Sequence, residues 1–226
     1  MIKILTKMLE SSLQQQPITY LPFHSKTFWE NFYKNHGQDS PNINWYFDLT
    51  KFQTSDFSLS NLNKDQEILI VGAGLSSTLD YLDNNGFEDI TIFDFSEELQ
   101  KILTEKYNKE WEIDPIDLTN LSTNFESQFH VILDKGCLDC ILSDPKNGEN
   151  KFVTALTNLL FWMEKDDGVL YYFSNGKMED RINLFYKVPK IKYKVATIDM
   201  NETMKDEYKE FNQSDNIYYL YTITKT

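Results

Sequence analysis

Cysteine, histidine and long apolar runs are all scarce in this chain. Its two cysteines, Cys137 and Cys140, are three residues apart in Cys-Leu-Asp-Cys, and a thioredoxin-like redox pair needs a fold context of its own. A zinc site would need two further ligands, and His24, His36 and His130 do not supply them at any usual spacing. The expectation is a pair of reduced structural thiols in an intracellular protein, with no metal. No run approaches the roughly 20 apolar residues that span a bilayer, so a soluble protein with no membrane partner is expected. Basic residues are outnumbered, 22 Lys and Arg against 35 Asp and Glu, for a net charge of −13. A nucleic-acid backbone would be repelled by that surplus, whereas a basic protein partner is compatible with it.

What is present is enough for one domain. At 226 residues, 41% hydrophobic and 15% aromatic, the chain can bury a sizeable core, about 70% of its unfolded surface. The organising stretch runs from Glu67 to Ser76, where Ile68-Leu69-Ile70-Val71 breaks abruptly into Gly72-Ala73-Gly74. It reads as a buried parallel strand, a tight glycine turn and a helix, in which Gly72 and Gly74 allow unusual dihedrals and close approach of a ligand. Another short apolar strand, Ile90 to Phe93, ends in Asp94, 22 residues after Gly72. The Rossmann pattern places there the acid that accepts from ribose hydroxyls. The turn alone does not separate a dinucleotide from S-adenosylmethionine. Ser77, however, stands where the dinucleotide fingerprint has its third glycine, which favours a cofactor without a pyrophosphate.

The remaining pattern alternates strand and helix. Strands are expected at 67–71, 90–94, Trp111 to Ile113, 129–134 and 168–174, with helices near 76–85, 96–108, 149–164 and 177–187. Such alternation predicts an α/β fold with a mostly parallel sheet and helices on both faces. Two last strands, 191–199 and 216–224, are joined only by a polar loop and predict an antiparallel hairpin. Upstream, Trp29, Phe32 and Tyr33 share one helical face, which means core packing or an aromatic lid over a ligand. The polar stretch 48–66 is expected to hold a short helix. Residues 1–27 read as an N-terminal extension before a domain spanning 28–226. The extension is amphipathic but contains no arginine, so the presequence and the frayed-helix readings both stay open.

At Val131-Ile132-Leu133-Asp134-Lys135-Gly136-Cys137-Leu138-Asp139 the sequence resembles the LDKGTLDA segment of a known family, the seven-strand S-adenosylmethionine-dependent protein-lysine methyltransferases acting on translation elongation factor one-alpha and on citrate synthase. The resemblance extends over about residues 28–224 and includes Trp29, Tyr33 and Trp45, the turn at Gly72 to Ser76, Asp94-Phe95-Ser96 and Ile116-Asp117-Leu118-Thr119. Its C-terminal half, through Gly168 to Ser174 and Glu179-Asp180-Arg181, looks most like the citrate synthase enzymes. Cys137 stands where the family has threonine, Cys140 where it has alanine, and Tyr46 interrupts the customary Asp-Trp-Phe.

The resemblance implies a Rossmann-like, seven-stranded class I methyltransferase fold and an enzyme that transfers a methyl group from S-adenosyl-L-methionine to a protein lysine. It implies that Gly72, Ala73 and Gly74 pack against the methionine portion of the cofactor, that Asp94 accepts from the ribose with Phe95 beside the adenine, and that Asp117 and Leu118 hold the adenine. Trp29, Tyr33 and Trp45 would close the pocket. Lys135 and Asp134 would lie where the fourth strand meets the sulfonium, with Asp134 and Asp139 the carboxylates available to orient the amine or accept its proton. Citrate synthase is the expected substrate, with elongation factor one-alpha as the alternative. The family member acting on citrate synthase points to the mitochondrial matrix, with the cytoplasm as the alternative. A small-molecule methyltransferase, a catalytically silent cofactor-binding module and a nicotinamide oxidoreductase are the rivals.

Overall fold

The computed structural model describes residues 21–37, 42–107, 111–120, 125–199 and 217–226. Residues 1–20 of the N-terminal extension, for which the presequence reading stays open, and the polar loop expected between the last two strands lie outside the described residues. Seven strands form one sheet: β1 (Ile68–Val71), β2 (Ile90–Phe93), β3 (Glu112–Asp114), β4 (Val131–Lys135), β5 (Val169–Ser174), β6 (Ile191–Asp199) and β7 (Ile217–Lys225), in the order β3-β2-β1-β4-β5-β7-β6. β1 pairs in parallel with both β2 and β4, β5 runs parallel to β4, and β7 is antiparallel to β5 and to β6. The expected terminal hairpin is present, with its second strand inserted between β5 and β6. Strand order reverses between β1 and β4, and ligands of open α/β sheets bind at the carboxyl ends of the strands at such a switch point.

Among the described residues six helices accompany the strands: α1 (Lys26–His36), α2 (Ser77–Asn84), α3 (Glu97–Lys106), α4 (Cys137–Leu142), α5 (Gly148–Trp162) and α6 (Met178–Phe185). Every residue of β1 is buried because alternate side chains feed two separate cores. Ile68 and Ile70 join Trp29, Leu79 and Leu99 on the face covered by α1, α2 and α3, whereas Leu69 and Val71 join Leu138, Phe152 and Leu184 on the face covered by α4, α5 and α6.

Four details differ from the sequence reading. The stretch 48–66 forms two 3₁₀ turns, Leu49–Lys51 and Leu59–Asn61, where one short helix was expected. The Asp48 and Ser58 side chains take the backbone amides of Thr50 and Ser60 there, and such local bonds compete with helix formation. β3 begins at Glu112, because Trp111 is buried with its indole N–H donating to the Phe87 carbonyl at 3.2 Å. The short helix α4 follows β4 directly, where no helix was expected. Its start is set by Gly136 at φ 89° and by Asp134, which accepts from the amides of Cys137 and Leu138, both at 3.0 Å. Packing also extends upstream of residue 28: Leu21 and Phe23 lie against the core, and the Phe23 carbonyl accepts from the Trp29 indole at 2.7 Å.

Candidate functional site

The carboxyl ends of β1, β2 and β4 meet at a turn that only glycine can make. Gly72 has φ 56°, and a Cβ there would lie 2.6 Å from the Cβ of Cys137, so the turn and α4 approach without room for a side chain. The Gly72 amide donates to the Phe93 carbonyl at 2.8 Å, continuing the ladder past β1. One residue beyond β2, the Asp94 carboxylate accepts from the amide of Ser96 at 3.0 Å and from that of Gly74. Burial pushes its pKa up to about 6 in spite of these two donors, and Glu30 adds to the rise.

The start of α2 is sealed by the chain itself. Asn44 Oδ1 accepts from the Ser77 amide at 3.2 Å and from the hydroxyls of Ser76 and Ser77, while Ser76 Oγ accepts from the Thr78 amide at 3.3 Å. Asp48 takes the Ser77 hydroxyl at 2.6 Å. A pyrophosphate needs the free amides of such a helix start, and here they are already paired. The departure from the dinucleotide fingerprint at Ser77 therefore has a structural counterpart.

An aromatic wall stands over the turn. Trp29 on α1 lies 5.7 Å from Tyr33 and 5.4 Å from Trp45, ring centre to ring centre. Trp45 is fixed from below, because Lys135 Nζ at the end of β4 donates to the carbonyls of Trp45 and Phe47, both at 3.0 Å. Burial brings the Lys135 pKa down to about 7, opposed by the Asp48 carboxylate. Between wall and strand ends lies a cleft. Trp29, Tyr33, Trp45, Gly72, Asp94, Phe95, Asp117, Leu118 and Lys135 all border it. Of the other residues expected to bind cofactor, Ala73 borders a smaller adjoining pocket, and Gly74 reaches the site through its amide on Asp94. Asp117 accepts from the Thr119 amide at 2.9 Å and hydroxyl at 2.7 Å, and the Leu118 carbonyl is held by Asn158 of α5 at 2.9 Å.

The two carboxylates expected beside the reacting amine are both held by bonds of the fold. Asp134 is fully buried, and both its oxygens serve the α4 amides; burial first, then the Asp139 charge, push its pKa well above the usual carboxylate range. Asp139 is also turned away from the cleft wall. It accepts from Arg181 Nη2 at 2.8 Å, from Ser174 Oγ at 2.8 Å, from the Asn175 amide at 3.1 Å, from Tyr172 and, at 2.6 Å, from the Tyr46 hydroxyl. A strand-end carboxylate followed by a short helix is drawn into capping, and one facing a buried arginine is drawn into an ion pair. The Tyr46 ring lies over Gly136, where a Cβ would come within 3.1 Å of it, so Asp139 shapes this end of the site through Tyr46.

Sequence reasoning missed Asn44, Glu30 and Arg181. Their partners are distant in the chain, so local pattern holds no signal for them.

A parallel sheet with one antiparallel strand, β7, next to its edge and a cleft at its switch point is the class I methyltransferase fold. A solved structure of the Burkholderia thailandensis 1,6-didemethyltoxoflavin-N1-methyltransferase, with 1,6-didemethyltoxoflavin and S-adenosylhomocysteine bound, matches 95% of this chain and 92% of its own with a TM-score of 0.58 at 14% identity. In sequence the chain is similar to the eEF1A lysine and N-terminal methyltransferase of Mus musculus, 28% identical over 125 residues, and to the EEF1A lysine methyltransferase 2 of Danio rerio, 26% identical over 171 residues. These matches cover 54% and 71% of this chain, and 17% and 73% of the relatives respectively. The chain thus spans less than a fifth of the length of the first relative. No family model matches it. The cleft fits S-adenosylmethionine: carboxylates stand at the ends of β2 and after β3, a glycine turn leaves room for the ligand, and no seat remains for a pyrophosphate.

Proposed function

We propose that this chain transfers a methyl group from S-adenosylmethionine to a lysine ε-amine of a protein, with elongation factor one-alpha the favoured substrate. The observation that carries the cofactor is the cleft in which Asp94 and Asp117 face a wall of Trp29, Tyr33 and Trp45 while Asn44 seals the start of α2. The protein substrate rests on the relatives named for eEF1A lysine methylation and on the net charge of −13, which suits a basic target segment. Citrate synthase has only the resemblance of the C-terminal half behind it.

S-adenosylmethionine supplies an activated methyl on a sulfonium, which a neutral amine takes by in-line displacement. Neutralising a lysine of pKa about 10.4 at pH 7 costs roughly 4–5 kcal/mol, part of which the site must offset. The aromatic wall excludes water and so disfavours the ammonium form. Asp134 and Asp139 are both engaged in bonds of the fold, so positioning and desolvation carry the reaction, and the proton leaves to solvent. The test is transfer of labelled methyl from S-adenosylmethionine to purified elongation factor one-alpha and citrate synthase in parallel, with mass spectrometry of the product. Label on an elongation factor lysine is the expected result. Label on citrate synthase alone reassigns the substrate, and label on neither refutes the protein assignment.

A further inference from the structure

We infer that Tyr46 is a positioning residue, which sets Trp45 over the cleft by means of a strained turn that its own hydroxyl clamps; this rests on the reading of the cleft as a site for S-adenosylmethionine. The Phe47 amide donates back to the Trp45 carbonyl at 2.7 Å, which closes a three-residue γ-turn, and Tyr46 at its centre has φ 63°. A γ-turn of positive φ is the rare and strained form, and a bulky aromatic residue is poorly suited to it. Three non-glycine residues have positive φ among the described residues, Tyr46, Ser127 and Lys190, and of these Tyr46 adjoins the cleft wall.

Side chains of β4, α4 and β7 hold the turn in place. Lys135 Nζ donates to the carbonyls at both of its ends, those of Trp45 and Phe47. The Tyr46 hydroxyl donates to Asp139 Oδ2 at 2.6 Å, and its ring lies over Gly136 and 5.1 Å from the ring of Tyr218. Glycine would make the same turn without strain, but it would give up both the hydroxyl and the ring. Those two groups tie the backbone beside Trp45 to α4, through Asp139, and to the end of β4, through Gly136. Trp45 and Gly136 both border the cleft, and Tyr46 acts on it through them. Backbone strain persists where the surroundings over-determine it, and it gathers at ligand clamps.

The experiment is isothermal titration of S-adenosylmethionine and S-adenosylhomocysteine into the wild type, Tyr46→Phe, Trp45→Phe, the double variant and Tyr218→Leu, with thermal unfolding of each protein without ligand. Tyr46→Phe keeps the ring, and Asp139 Oδ2 keeps the Ser174 hydroxyl and the Asn175 amide, so this variant is expected to fold. It is expected to bind both ligands about three- to tenfold more weakly. The double variant is expected to bind no more weakly than Trp45→Phe alone, because the two residues act as one unit. Tyr218→Leu loosens the ring without touching the hydrogen bonds of the turn, and its affinity is expected to stay within about twofold of the wild type. Unchanged affinity in Tyr46→Phe overturns the inference. So do additive losses in the double variant, or a loss in Tyr218→Leu as large as that in Tyr46→Phe, since either removes the specific link to Trp45. If the wild type binds neither ligand, the reading of the cleft fails and this inference with it.

Discussion

Glu30 Oε1 lies 2.8 Å from the backbone amide of Glu97, and Glu30 Oε2 lies 3.0 Å from that of Glu98 and 3.1 Å from Ser96 Oγ. A carboxylate on the helix that carries Trp29 and Tyr33 thus caps the helix that follows Asp94. The wall of the cleft and the acid it covers are tied by one side chain. Glu30→Ala is expected to cost about 1–2 kcal/mol of stability, as loss of a charged cap does, and to weaken S-adenosylmethionine binding as well. Lys26, paired with Glu97 at 2.9 Å but 46% exposed, makes the contrast, because exposed pairs contribute under about 1 kcal/mol. Thermal unfolding and titration of Glu30→Ala beside Lys26→Ala check both expectations.

Lys135 should behave as a latch on Trp45. Lys135→Met keeps the length of the side chain but leaves the Trp45 and Phe47 carbonyls without their donor, so weaker cofactor binding is expected with the fold retained. The pH dependence has a definite sign. A lysine whose folded pKa is about 7, below its unfolded value, binds fewer protons in the folded state above that pH, so it adds stability as pH rises from about 7 toward 10. Urea unfolding at pH 7 and pH 9 should therefore show that the advantage of the wild type over Lys135→Met grows with pH.

If Asp94 holds the cofactor as proposed, it is expected to set the acid limit of binding. With its pKa raised to about 6 by burial, it loses its charge below that pH and would accept poorly from the hydroxyls of a bound ribose. The dissociation constant for S-adenosylmethionine is expected to rise as pH falls through 6, approaching tenfold per pH unit at the limit. Asp94→Asn should bind weakly at every pH and lack that slope. Titrations at pH 5, 6 and 7 measure the difference.

Asp139 is expected to act on stability before it acts on rate. Removing its charge leaves Arg181 buried without its anionic partner, and breaking such a pair costs about 3–5 kcal/mol. Asp139→Asn should lower the unfolding midpoint in denaturant strongly, and Asp139→Asn with Arg181→Met should recover part of the loss. A variant that unfolds like the wild type but has lost methyl transfer would instead assign Asp139 to the chemistry.

The parts of the molecule legible in the sequence were those set by local periodicity. The run Ile68 to Val71, the break at Gly72 and the strand ending at Asp94 each carry their pattern within a few residues, and alternation of strands with helices gave the sheet direction. Gly72 and Asp94, read from the ends of the same strands, border the cleft. The roles of Asp134 and Asp139 were not legible. The first depends on a six-residue helix too short to announce itself, and the second on Arg181, Tyr172 and Tyr46, brought together only by packing. Asn44 on the start of α2 and Glu30 on the start of α3 are likewise contacts between distant segments that no window of sequence contains.

The most direct measurement is calorimetric titration of the wild type and Asp94→Ala with S-adenosylmethionine and with reduced nicotinamide dinucleotide. Binding of S-adenosylmethionine by the wild type, its loss in Asp94→Ala and no heat from the dinucleotide are the predicted results. Dinucleotide binding without S-adenosylmethionine binding would contradict the account at its centre, because it would require amides at the start of α2 that Asn44 and Ser76 already hold.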